Sequence, residues 1–460
     1  MAVIKAYAFP HPPLAVSAVG RGEEQKIQKT LDSFKKAANE IAELAPETII
    51  YITPHNVIYG DYFHISPGRE AKGDLSRFNA PEIHFEKSLD TQFADEIIEI
   101  AEKESVFAGY LGEKDKSLDH GVTVPMWFID RRYKNYKMIR ISQSGLDSSE
   151  HYKLGQCIAK AAKTLKRRTV VIASGDLSHK LPKSSYGTVP EGAQFDKAVT
   201  DSFVSADFLA LFHISGELRE LAAECGYNSF IVMAGCFDCL KTDGNLYSYE
   251  GPFGVGYGVA SFTPGNFDDN RNILVQYKTD VLKKSQEKQQ SEDCYRSLAR
   301  QSLEYTVKNG GKLPLPEKLP DELTKNRAGV FVSLHKNGRL RGCIGTIAPT
   351  KENIAFEIIQ NAVSAGLSDS RFDPVNISEL PYLTYKVDVL SSPELINGPD
   401  ELDVKRYGVI VSSGYKRGLL LPNLEGVDTV EKQISIASQK GGISEKEKVT
   451  LERFEVIRHE

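Results

Sequence analysis

Over its first 265 residues the chain keeps switching between two hydrophobic periods, and this alternation restricts the fold more than any other feature. Short β-branched runs read as buried strands: VIKAYAFP (3–10), ETIIYI (47–52), YKMIRIS (136–142) and RTVVIASGDLSH (168–179). A further strand is expected around DYFHIS (61–66), and LYSYEGPFGVGYGVASF (246–262) reads as sheet with glycine bends. Between them lie segments with helical spacing, predicting helices over 22–44, 88–105, 148–166, roughly 193–212 and 215–240. Strands separated by helices predict an α/β domain over 1–265, with a central, mostly parallel sheet and flanking helices.

The rest of the chain reads differently. Residues 266–292 include much of the polar run YKTDVLKKSQEKQQSED (277–293), which has no convincing apolar face and reads as linker or exposed helix. A second unit, 293–460, opens with a helix (CYRSLARQSLEYTVKNG) and continues with strands in GVFVSLHKNGRLRGCIG, YLTYKVDVLS and GVIVSSGYKRGLLLP, an α+β pattern. At 460 residues, more than one core is expected.

Bulk properties exclude several functions. The net charge of −5 and the absence of any dense basic block beyond KTLKRR (163–168) argue against a nucleic-acid surface. No apolar run reaches about 18 residues, so no membrane helix is expected. The N-terminal stretch lacks the pattern of a signal peptide, and six scattered cysteines do not make a disulfide framework, so a reducing cytoplasm is the expected compartment.

Four of the ten histidines share one setting. His11 (FPHPP), His55 (TPHN) and His179 (GDLSH) follow apolar strands, and His120 (LDHG) lies in turn chemistry read as a loop. Parallel sheets gather such strand ends on one rim, where α/β folds place ligands. Neutral imidazole is a common ligand for Fe, Zn and Cu and a common general base. Singly, each histidine is better read as structural, but their shared setting favours a site. His64, His84, His151, His213 and His335 lack that setting and read as structural or exposed, and His459 lies in the tail. Two histidines and a carboxylate would make a facial triad for non-heme Fe(II). Glu224, beside Cys225 in LRELAAECGYNSF, is the candidate carboxylate, with Asp119 and Asp176 as competitors; by composition alone Glu224 is an ordinary helix carboxylate.

In this order PHPP, TPH, LDHG, GDLSH and AAECGYNSF resemble the B-subunit family of class III extradiol dioxygenases (LigB-like), over about residues 3–262. Memo proteins share that fold without being established ring-cleaving enzymes. The resemblance implies a non-heme Fe(II) site of His11, His55 and Glu224, with zinc, copper or manganese as other divalent ions. It implies catalytic roles outside the ligand set for His120 and His179, the latter as acid–base residue. The substrates it implies are a catechol-like aromatic and dioxygen. ECG (224–226) also resembles the motif with which Memo proteins place a cysteine at the metal, so either Glu224 or Cys225 could be the third ligand. A thiolate there would suit a softer site and weaken the dioxygenase reading.

In the second unit LRGCIG (340–345), DSRFDPV (369–375) and GYKRGLLLPN (414–423) resemble the AMMECR-type domain, whose biochemical role is unsettled. A chain joining both units resembles the AmmeMemoRadiSam family, named for its AMMECR, Memo and radical-SAM members. That resemblance implies, as a rival to an enzyme, a metal-binding or interaction protein accessory to a radical-SAM partner. A homodimer is compatible with the sequence but not set by it. Cys343 reads as buried or as an exposed thiol. CFDC (236–239) lacks the second cysteine pair of a zinc site, and GPFGVGYG is not a nucleotide loop.

Overall fold

The apolar runs of the first unit become one six-stranded sheet. In the computed structural model, which describes residues 2–460 apart from 113, 115, 116, 337, 338, 425 and 445, the strand order is Lys137–Ser142, Thr48–Thr53, Thr169–Ser174, Val3–Phe9, Tyr257–Phe267, Leu240–Glu250. The first four strands are parallel, with Ile50 opposite both Val171 and Ile139, and Ala6 opposite Val171. The last two are antiparallel additions. Neighbouring residues of one strand enter different cores. Ile50 and Ile52 pack on one face, and Ile49 and Tyr51 on the other. This is why the parallel strands read as unbroken apolar runs instead of alternating ones.

Helices cover both faces. Gln28–Leu44 buries Phe34, Ala37, Ala38 and Ile41 on one side; Thr91–Lys103, Ser148–Thr164 and Tyr227–Gly235 pack on the other. Phe34 stacks on Phe9, ring centroids 4.4 Å apart, and so anchors the end of the first strand two residues before His11. Fully burying each such ring contributes about 1.5–3 kcal/mol.

Several local expectations need correction. The stretch 215–240 is not one helix: Gly216–Ala222 stops at Ala223, whose φ is +52°, and a new helix begins at Tyr227. Gly226, in the break, packs so closely on Gly175 that a Cβ on Gly175 would lie 2.0 Å from the Gly226 Cα. The 193–212 region likewise divides into Pro190–Ser205 and Phe208–Phe212. His120 is not in a loop but opens the helix His120–Ile129. In DYFHIS only Phe63–His64 form a strand, paired with Ala108–Gly109 outside the main sheet. The hairpin Glu70–Leu75 with Ala80–Ser88 had no periodic signature. Residues 266–292 hold the end of a strand and the helix Ile273–Gln290, in which only Ile273 and Leu274 are buried.

By packing, the chain divides into Met1–Lys278 and Thr279–Glu460. The second unit is α+β. Its sheet runs Arg339–Gly345, Gly329–Lys336, Leu383–Leu390, Thr450–His459, Tyr407–Ser413, Lys416–Leu420, all antiparallel, with Glu394–Ile396 also pairing the strand Thr450–His459. Asn337 and Gly338, within the stretch read as strand, lie outside the described residues. The helices Cys294–Asn309 and Ile354–Leu367 contribute Leu298, Leu303, Ile358 and Ala362 to its core.

Candidate metal centre

His11, His55 and His179 all follow the C-terminal ends of parallel strands and therefore share one rim of the sheet. The Nε2 atoms of His11 and His55 stand 2.9 Å apart, and Cys225 Sγ lies 3.6 Å from His11 Nε2. One ligand atom from each of these three residues falls within 4.8 Å of the others. His11 is buried, Cys225 half-buried and His55 exposed, so the cluster opens to one side.

Glu224 stands outside this group of three. Its carboxylate accepts the Tyr227 backbone N–H at 2.7 Å and so caps the following helix, while local burial raises its pKa to about 7. Cys225 faces the histidines because the chain breaks at Ala223 and Gly226 presses against Gly175. In that position the Asp176 N–H donates to Cys225 Sγ at 3.3 Å, and the Gly226 N–H donates to the Asp176 carbonyl at 3.0 Å. Burial pushes the Cys225 thiol up, and the nearby Asp176 charge adds to this.

The hydrogen bonds around His11 fix its tautomer. Ser174 Oγ donates its single proton to the Gly121 carbonyl at 2.5 Å, so it must accept from His11 Nδ1, 2.8 Å away. His11 Nε2 then carries the lone pair that faces His55 and Cys225. Burial lowers the pKa of His11 to about 3, keeping it neutral. No motif marks Ser174 in the sequence, although a serine closing an otherwise apolar strand run is a legible anomaly.

His120 and His179 flank the cluster. The His120 ring stacks on His55, centroids 4.0 Å apart at 24°, and meets His11 edge-on at 5.2 Å. Its pKa falls to about 4, through burial and then the His55 charge. His179 Nε2 lies 4.0 Å from Cys225 Sγ and 3.9 Å from Asp176 Oδ2. Burial lowers the His179 pKa, but the nearby Asp176 carboxylate outweighs it and the net shift is upward. Neither competing aspartate joins the three-residue cluster. Asp176 Oδ1 accepts the His11 backbone N–H at 2.8 Å. Asp119 accepts from Thr53 Oγ1 at 2.6 Å, lies 3.6 Å from the fully buried Arg140 and immediately precedes the His120 helix. The arginine inside YKMIRIS is a second anomaly whose meaning only the packing shows.

Of the other histidines, His151 donates to the Asp147 carbonyl (3.0 Å) and accepts the Ser144 N–H (3.3 Å), a structural role. Among the described residues, no helix is long and apolar enough to cross a membrane.

Comparison with known proteins places both units. Residues 5–260 match the family described as catalytic LigB subunit of aromatic ring-opening dioxygenase, and residues 296–459 match AMMECR1. A Clostridium acetobutylicum protein is 42% identical over 462 residues, covering 98% of each chain. A Thermotoga maritima protein is 50% identical over 170 residues, 36% of this chain and 98% of its own. A solved Pyrococcus horikoshii structure is similar at 31% identity and TM-score 0.33, covering 36% of this chain and 88% of its own. The chain belongs to the LigB family, with an AMMECR1 domain following the LigB domain.

Proposed function

We propose that the first unit holds one transition-metal ion through Nε2 of His11, Nε2 of His55 and Sγ of Cys225. The observation that carries this is their convergence within 4.8 Å, with the His11 tautomer already fixed for ligation. Two imidazole nitrogens 2.9 Å apart match the separation of two ligands on one ion, given metal–nitrogen bonds of about 2 Å. A cation there would offset the burial that keeps the Cys225 thiol protonated. Fe(II) is the ion suggested by the family, while a thiolate ligand also suits zinc or copper.

When bound, a redox-active ion would supply the centre at which a catechol-like substrate and dioxygen meet. His179, paired with Asp176, would take a substrate hydroxyl proton on Nε2 and return it later. His120, kept neutral, would hydrogen-bond a substrate oxygen. A second reading, metal binding without ring opening, is favoured by one observation: the sulfur of Cys225 stands where a facial triad needs a carboxylate. In that reading the chain would be a Memo-like binding protein, accessory to a radical-SAM partner. A reducing cytoplasm suits its six free cysteines.

The test is metal content after anaerobic purification. Paired His11→Ala and His55→Ala substitutions, and Cys225→Ala separately, should lose the ion, while Glu224→Gln keeps it. Loss in Glu224→Gln with retention in Cys225→Ala would overturn the ligand set. Dioxygen uptake with a panel of catechols then separates the two readings.

A further inference from the structure

Two sequence motifs of the second unit that the metal centre leaves unused meet at one cavity. LRGCIG supplies Arg341, and DSRFDPV supplies Ser370, Arg371, Phe372 and Asp373; together these five residues line an open space of about 430 Å³. That volume lies in the range of small-molecule sites.

Both guanidinium groups are held in place. Arg341 donates through Nε and Nη2 to the two carboxylate oxygens of buried Glu379, at 3.0 and 2.9 Å. Arg371 grips Asp369 through Nε and Nη2 at 2.9 and 2.6 Å, and Nη2 also donates to the Cys343 carbonyl at 3.1 Å. Asp369 in turn accepts the Cys343 N–H at 2.9 Å, which ties the RGCIG turn to the cavity wall. The Phe372 ring centroid is 5.9 Å from the Arg341 guanidinium carbon and 5.5 Å from that of Arg371.

On both guanidinium groups Nη1 stays unpaired among the described residues: that of Arg341 is buried, and that of Arg371 sits on an exposed side chain. Nη1 of Arg371 makes no hydrogen bond among the described residues, and this side chain is 55% exposed. A guanidinium already locked along its other edge loses little further freedom when it binds. Glu379, which does not line the cavity, is shared between Arg341 and Lys336 (3.1 Å), so its charge is opposed by two cations. Asp369 is paired with Arg371, and the lining carboxylate, Asp373, is exposed and screened by solvent.

We propose that this cavity binds a small molecule through an oxyanion group, phosphate or carboxylate, with Arg371 Nη1 donating to the anion and Phe372 packing on the body that carries it. Isothermal titration of the full chain with inorganic phosphate, phenyl phosphate and benzoate tests this and tells the two anions apart. Saturable binding of at least one is expected. Arg371→Gln should weaken it roughly 10–100-fold, the loss of one charge-assisted hydrogen bond. Asp373→Asn should tighten it, and Phe372→Ala should weaken phenyl phosphate or benzoate more than phosphate. The His11→Ala/His55→Ala double variant should bind as wild type, which separates this site from the metal centre. No saturable binding of any of the three would overturn the proposal. Binding that Arg371→Gln leaves unchanged, or that the double histidine variant abolishes, would do the same.

Discussion

Replacing Ser174 by Ala tests whether the geometry around His11 is that of a ligand. Ser174 is fully buried, and its hydroxyl both accepts from His11 Nδ1 and donates to the Gly121 carbonyl. Alanine leaves the Nδ1–H without an acceptor in a position where His11 is only 1% exposed. An unpaired buried donor costs about 1–3 kcal/mol. His11 can avoid this only by turning its ring or by moving the proton to Nε2, and either change removes the lone pair aimed at the metal. Loss of such a supporting hydrogen bond typically lowers metal affinity about 10–100-fold, or about 1.4–2.8 kcal/mol. Anaerobic competition titration against a chelator of known affinity measures the change directly, and thermal melts of the metal-free chain report any general loss of stability. An unchanged affinity, with or without a lowered melting temperature, would refute the assignment of His11 Nε2 as a ligand oriented by Ser174.

His179→Ala should leave metal content intact, because His179 is placed outside the ligand set; if the enzyme reading holds, turnover should fall by about 10²–10⁴. Metal loss in that variant would instead bring His179 into the ligand set. His151 is buried and neutral, with a pKa lowered to about 4. In the unfolded chain it titrates near 6.5, so its contribution to stability is full above that pH and declines as pH falls toward 4. Melts of His151→Gln over this range should show a shallower acid loss than wild type, and parallel curves would show that His151 does not titrate as assigned. Limited proteolysis should cut first within 279–292, where the helix Ile273–Gln290 buries nothing beyond Leu274, and mass spectrometry of the fragments locates the cut. First cleavage inside 1–260 would contradict this.

Much of the site's framework was legible in the sequence. The apolar runs carry their own strand propensity, and where a run ends at Pro10 or Pro54 the chain must leave the sheet. Parallel pairing of such runs then brings His11, His55 and His179 to one rim, whatever their separation in sequence. The change of pattern near residue 293 marked a second unit for the same reason: periodicity is a local property that survives without knowledge of the fold. The choice between Glu224 and Cys225 was not local. These neighbours point to different partners, Glu224 to the Tyr227 N–H and Cys225 to the histidines, because the helix stops at Ala223 and Gly226 fits against Gly175, a contact between segments some 50 residues apart. Ser174, Arg140 and the helix beginning at His120 gained their roles in the same way. Each depends on which distant backbone or side-chain group packing brings within about 3 Å, the range over which a hydrogen bond acts. Local sequence set which residues could reach the rim of the sheet; tertiary packing decided which atoms point at one another there.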